Sequence, residues 1–477
     1  MTRNVVLLCL DTVRKDYFDQ FAPRLQRLAD VTFTQCRAVS AWSTPSHASM
    51  LTGDLPSDHG VHTHALDFER LDRDDTLLGD LEAHRSFGVS ANVYAGSAFG
   101  FDALFDEFRD VSRYHRFPDA LDAETFVDDH GGNGVETYTE LLKTVAKDDR
   151  PLRSLANVAL FRGNDLVRHG PLGDAPELFD DGTAVVRREL LKRVESEENA
   201  DGTEEPFFCF ANLMDAHEPH RTIRGYDETL HSVPNDWTSE TFDNGDVIQN
   251  SGEYATDLEN YRDLYGASID YLDRVVAGTI ESIQERTSRE TTFVITADHG
   301  ENLGTEADES LFGHLASLSE GVLHVPLLLV NPPDGYDETI TEYASHLSLR
   351  ELLRGLAAGE TPDVTEDRIT AEVVGLTPNN DSLADSDEAY WDRLLRCGYE
   401  GDEKVVWDSL DERTTYELDR ERPCWQAELS GDSSVPDWAT ARFETDAQTA
   451  KERAKETDVD RDVSDDVERR LAELGYK

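Results

Sequence analysis

Four short apolar runs stand out from an otherwise polar chain. Residues 4–10 (NVVLLCL), 206–213 (PFFCFANL), 291–297 (TTFVITA) and 325–330 (VPLLLV) are nearly continuous in hydrophobic residues instead of alternating with polar ones. That texture suits strands buried on both faces of a parallel sheet. Over residues 254–283 the period changes. Tyr261, Leu264, Tyr265, Ile269, Leu272, Val276, Ile280 and Ile283 recur mostly every three or four positions, which predicts one face of a long helix. Shorter helices are expected over 23–29, 48–51, 77–84, 184–194 and 349–358, and an alternating strand over 87–94. Strands alternating with helices imply an α/β sheet covered by helices on both faces.

Two stretches carry less pattern. Residues 110–180 hold helical patches at 135–145 and 152–161 between glycine-rich breaks, and read as an insertion over the core. Residues 221–252 read as a long loop. After about residue 375 the texture changes again. Residues 404–407 and 414–418 predict short strands between acidic turns, hence a small antiparallel sheet, and 449–475 predicts a charged helix. The expected division is a larger unit over 1–375, with its insertion, and a C-terminal sheet-and-helix subdomain over 376–477.

Charge changes the picture more than composition does. The chain has 99 acidic and 45 basic residues among 477, a formal net charge of −54, with the acids spread along its whole length. Such a surface repels nucleic acid and anionic membranes and suits a halophilic setting, where salt screens self-repulsion. The five cysteines form no CxxC pair, so no disulfide framework is expected. The first apolar run ends at Asp11, too soon for a signal-peptide core, and no apolar stretch reaches membrane-spanning length; a soluble, cytoplasmic protein is expected.

Three of the buried strands end in chemistry: Asp11, then Asp215 with His217, then Asp298 with His299. In open α/β sheets the carboxyl ends of the strands form the ligand crevice. Acids buried there are costly unless they are paired or bind a metal. Between the first two strands, residues 41–53 (AWSTPSHASMLTG) gather hydroxyls, Pro45 and His47 ahead of a helix closed by Gly53. A hydroxyl at a helix N-terminus is well placed for nucleophilic work on an anionic ester.

These pieces resemble the sulfatase-type members of the alkaline phosphatase superfamily. The resemblance is carried by 5–14, Ser43-Thr44-Pro45-Ser46-His47, Leu51-Thr52-Gly53, 55–61, Gly100-Phe101-Asp102, 214–219 and 296–301, and further by Phe312-Gly313-His314, 324–327 and 474–476. They follow the family's order across nearly the whole chain. The resemblance implies a three-layer sandwich around a mixed, mostly parallel sheet. It also implies one divalent metal ion (Mn, Ca, Mg or Zn) held by Asp11, Ser43, Asp298 and His299. Ser43 falls at the nucleophile position, where a covalent intermediate would form and water would resolve it. His217 and His314 fall where the family binds the sulfuryl or phosphoryl oxygens and assists the leaving group, and His47 is expected to brace the turn or contact the anion. The implied partner is a small-molecule, glycan- or lipid-linked sulfate or phosphate ester.

Three departures narrow this. His47 replaces the arginine of the C/S-x-P-x-R signature that precedes conversion to formylglycine, which favours an unmodified serine. Asp11 is followed by Thr12, and Asp298 by His299, where sulfatases commonly have Asp-Asp and Asp-Asn. That set resembles the branch of phosphonate and phosphodiester hydrolases and phosphoglycerol transferases. The extra ligands of a two-metal phosphatase are not found, and Asp215 with His217 would supply them only if loops rearranged. The alternatives left open are a sulfatase proper with a modified Ser43 and a catalytically idle anion-binding scaffold. His59 is assigned to a Pro-x-x-His-Gly turn, His62 and His64 to no role, His220 to the entrance, and Trp42 to packing beneath the nucleophile. Substrate choice is expected to lie in 110–180 and 221–252.

Overall fold

The computed structural model describes residues 2–457 apart from 114–115, 118–119, 122, 124–125, 128–129, 131–134, 169–174, 199–204, 378–379 and 432. The expected helix beyond residue 457, and the resemblance at 474–476, lie outside the described residues. In chain order the first strands are β1 (Asn4–Leu10), β2 (Val31–Arg37), β3 (Arg85–Ser90), β4 (Glu107–Asp110), β5 (Phe207–Leu213) and β6 (Thr291–Thr296). A small pair, β7 (Asn302–Leu303) and β8 (Phe312–Gly313), is followed by β9 (Leu327–Val330), β10 (Thr339–Ser345) and β11 (Thr365–Glu366). Last come β12 (Arg368–Val374), β13 (Leu394–Glu400), β14 (Glu403–Asp408), β15 (Arg413–Leu418) and β16 (Gln426–Glu428).

Among the described residues, nine strands form the main sheet in the order β11-β10-β2-β9-β6-β1-β5-β3-β4. The three acid-ending strands are neighbours at its heart: β1 pairs in parallel with β5 on one side and β6 on the other. Every residue of these three strands is buried, as the continuous apolar runs require. The run at 325–330 is a buried strand too, but β9 lies antiparallel to both β2 and β6. An unbroken apolar run reports burial on both faces and says nothing of strand direction. One group of helices joins Ala255–Gln284 to Thr183–Glu198, Lys15–Phe21 and Pro23–Leu28. A second joins Leu349–Ala358 to Ser43–Thr52 and packs on β1 and β6, giving a three-layer sandwich around a mixed, mostly parallel sheet.

Four expectations shift. The helix expected at 48–51 begins at Ser43, because Pro45 sits in the first turn, where its missing N–H is no loss. It ends, as expected, on Gly53, whose φ of 80° closes the last turn. The helix expected over 77–84 is only Leu77–Asp80, weakened by Gly79. The strand expected over 87–94 stops at Ser90, because the Asn92 side chain accepts the Tyr94 N–H and turns the chain into a 3₁₀ turn, Val93–Ala95. The loop at 221–252 contains a short helix, Asn244–Gln249, capped by Asp243.

The stretch at 110–180 is helical where the patches predicted, as Val135–Val145 packed on Pro151–Arg168. It has its own small core of Ala123, Val127, Leu141, Val145 and Val158. The antiparallel sheet runs β12-β13-β14-β15-β16. Its β14 and β15 contain the two strands read from the sequence. The two sheets meet at Glu320, which is bonded to Arg37 of β2 and to Tyr399 and Lys404 of β13 and β14.

Candidate active site

Because β6, β1 and β5 are adjacent, their carboxyl ends bring Asp298, Asp11 and Asp215 to one edge of the sheet. Asp11, Asp298 and His299 are wholly buried, and one ligand atom from each lies within 4.8 Å of the other two. Thr12 makes this approach possible. Its φ of 58° is costly for a β-branched residue, and it turns the Thr12 N–H onto Asp298 Oδ1 at 3.2 Å. Asp215 turns away from the group. It accepts the Thr183 hydroxyl and the Asp181 N–H, and burial beside Asp180 and Asp181 pushes its carboxyl well up.

Ser43 opens its helix beside these acids, 1% exposed, with Oγ 3.4 Å from His299 Nε2. Asn92 Nδ2 donates to Ser43 Oγ at 2.8 Å and to Asp11 Oδ2 at 2.6 Å. Asn212, in β5, gives Asp11 Oδ2 a second donor at 3.0 Å. Neither asparagine was singled out from the sequence. Asn212 had a signal, as a polar residue inside an apolar run; Asn92 had none. His47 lies one turn into the helix, its Nδ1 2.7 Å from the Ser43 carbonyl and 3.7 Å from Asp298 Oδ2. Its ring packs edge-on against Phe101 and Phe210, the position of a brace for the turn. Trp42 is buried against Tyr94.

Three histidine rings cluster, beginning with His299, which faces Ser43. His314 stands 5.0 Å from both His217 and His299, centroid to centroid. His299 Nδ1–H donates to the Gly300 carbonyl at 2.8 Å, so its Nε2 lone pair faces the acids; burial pushes the ring down to about 3 and keeps it neutral. Glu301 was not singled out either. It is wholly buried, sits 3.2 Å from His314 Nδ1, and burial pushes its carboxyl up to about 8. His217 Nδ1 is 2.5 Å from the Glu218 carbonyl. His59 ties its own turn together through Ser49 Oγ and the Val61 N–H. His64 is bound to Asp392 and Lys451, away from the chemistry. His220 is buried edge-on against Tyr261.

The residues fit a divalent cation. Asp11 Oδ1 and Asp298 Oδ2 are buried without a hydrogen-bond partner, while the other oxygen of each carboxylate has two donors. Two carboxylate oxygens and a neutral imidazole nitrogen form a donor set of the kind such ions take.

The mixed nine-stranded sheet with its separate antiparallel sheet is an alkaline phosphatase-like fold. A phosphonate monoester hydrolase of Agrobacterium radiobacter superposes with a TM-score of 0.60 at 16% identity, over 87% of this chain and 89% of that one. A structure solved with its substrate D-glucosamine-2-N,6-O-disulfate superposes with a TM-score of 0.58 at 13% identity, over 97% and 99%. An alkaline phosphatase superfamily protein from Vibrio parahaemolyticus superposes with a TM-score of 0.52 at 13% identity, over 96% and 89%. No curated protein is matched by sequence. Residues 3–357 match the sulfatase family model, and the chain belongs to the sulfatase family. Among the described residues no helix is long and apolar enough to cross a membrane.

Proposed function

We propose that the chain hydrolyses a phosphoric or sulfuric ester through Ser43, by way of a covalent intermediate, with a divalent cation held by Asp11, Asp298, His299 and Ser43. The observation that carries this is the buried serine hydroxyl beside two carboxylates that each keep one oxygen without a partner. A cation bound there would neutralise the ester's oxygens and activate the serine. The chain's own groups do the rest. Ser43 gives up its proton to solvent, and Oγ forms a bond to phosphorus or sulfur as the leaving oxygen departs with its electron pair. The leaving oxygen takes a proton from His314, whose ring is oriented by Glu301. His217 contacts the non-bridging oxygens, and His47 holds the carbonyl of the nucleophile's own residue. Water then displaces Ser43 Oγ.

Phosphate esters are favoured over sulfate, because His47 stands at the signature's arginine and supports an unmodified serine. The substrate class is a small-molecule or glycan- or lipid-linked ester, not a nucleic acid, given the net charge of −54. The test is hydrolysis of p-nitrophenyl sulfate, p-nitrophenyl phosphate and bis(p-nitrophenyl) phosphate in high salt with Mn, Mg, Ca or Zn. Phosphate-ester turnover that is lost in Ser43→Ala and Asp298→Ala supports the proposal. Sulfate turnover alone, with a Ser43 peptide of altered mass, restores the sulfatase proper. Activity surviving in Ser43→Ala refutes the nucleophile.

A further inference from the structure

Asn92 places one amide nitrogen between the nucleophile and the acid beside it. Its orientation is fixed: Oδ1 accepts the Tyr94 N–H at 2.7 Å, so Nδ2 must face Ser43 Oγ and Asp11 Oδ2. Its own backbone N–H is held by Ser90 Oγ at 3.1 Å. The residue is 1% exposed, so water does not compete for the amide. His299 Nε2, the other group facing Ser43 Oγ, is an acceptor, because the ring's N–H is spent on Gly300. Among the described residues Asn92 is therefore the side-chain donor bonded to this oxygen.

We infer that Asn92 is a catalytic residue that stabilises Ser43 Oγ as it departs from the covalent intermediate. The inference rests on the serine reading above. In the first step Ser43 gives up its proton to solvent, the serinate Oγ bonds to phosphorus or sulfur and the ester oxygen leaves; charge moves off Oγ as that bond forms, and a donor there does not speed the bond-forming step. In the second step the water oxygen forms the new bond and the bond to Oγ breaks. Oγ takes the electron pair, and the proton lost by water ends on it. Negative charge thus builds on an oxygen 2.8 Å from a fixed, desolvated N–H donor, the arrangement that favours a transition state over its ground state.

Asn92→Ala removes the donor. Asn92→Ser does too, being too short to reach Ser43, but keeps a hydroxyl for the Tyr94 N–H and so protects the local fold. Both are compared with wild type and Ser43→Ala on the three p-nitrophenyl esters with Mn in high salt, by stopped-flow and intact mass. The expected result is a kcat lower by about 100- to 1,000-fold, with a retained first-turnover burst of p-nitrophenol. A phosphoryl or sulfuryl adduct on the Ser43 peptide accumulates, and manganese content equals that of wild type. Turnover within about threefold of wild type would overturn the inference, since one donor to a developing oxyanion is worth far more. A rate loss without burst or adduct would overturn it as well, leaving Asn92 as a support for Asp11. Failure of the serine reading looks different: Ser43→Ala keeps the wild-type rate, or wild type cleaves none of the three esters.

Discussion

Replacing Glu320 by glutamine tests how the small sheet is fastened to the main sheet. Glu320 is 1% exposed. Its Oε2 lies 2.9 Å from Arg37, and its Oε1 accepts from the Tyr399 hydroxyl at 2.7 Å and Lys404 Nζ at 3.1 Å. Burial alone would raise the carboxyl, but Arg37 and Lys404 outweigh it and hold it down to about 2, against an ordinary 4.5. Each unit is worth about 1.4 kcal/mol, so ionised Glu320 contributes roughly 3 kcal/mol. Glutamine keeps the shape but leaves two buried cations uncompensated, for which about 3–5 kcal/mol is usual. The two routes agree. Urea unfolding at neutral pH should show Glu320→Gln less stable by about 3 kcal/mol or more. Because the folded group titrates below the unfolded one, this contribution is present above the ordinary value of 4.5 and fades as pH falls toward 2. The wild-type advantage over Glu320→Gln should shrink across that window. A cost below about 1 kcal/mol, the scale of an exposed pair, would refute the reasoning.

Two further outcomes follow from charge. Manganese at about 100 times its dissociation constant should stabilise wild type by about 2.7 kcal/mol, read as a rise in Tm, and should not shift Asp298→Ala; equal shifts would remove Asp298 from the ligand set. Raising KCl from about 0.1 M to 1 M shortens the screening length from about 10 Å to 3 Å and should raise Tm, because the −54 surface repels itself less; a flat or falling Tm would detach the acidic surface from salt tolerance.

The centre of the fold was legible because burial on both faces leaves a plain mark. β1, β5 and β6 are unbroken apolar runs, each ending in an acid, and the structure sets them side by side. The outer strands left little trace. β2 reads VTFTQCR and β10 reads TITEYAS, half-polar segments whose pairing is a long-range matter. At the site, Asp11, Ser43, Asp298, His299 and His217 were marked, because a charge or hydroxyl at a strand end or helix start is conspicuous; His314 came only with the family resemblance. Asn92 was hidden by the alternation that made 87–94 look like a strand. Its side chain is what ends that strand, and the hydrogen bond that does so also aims its amide at Ser43.

The way the chain treats its buried acids separates the site from the scaffold. Glu320 is matched by Arg37 and Lys404, Asp308 by Arg14, and Glu372 by Arg396. Asp215 has no such cation in its bonds, and there burial drives the carboxyl toward its neutral form. Asp11 and Asp298 are held in another way. Amide and backbone N–H donors hold one oxygen of each, at 2.6 and 3.0 Å on Asp11 Oδ2 and at 3.2 and 3.0 Å on Asp298 Oδ1. Neutral donors orient a carboxylate without cancelling its charge. Two wholly buried carboxyl groups, each aimed by neutral donors and each keeping one oxygen without a hydrogen-bond partner, would be a net cost to a scaffold. They make sense where a cation is to be held, and in this sheet they stand beside the serine hydroxyl and the histidines.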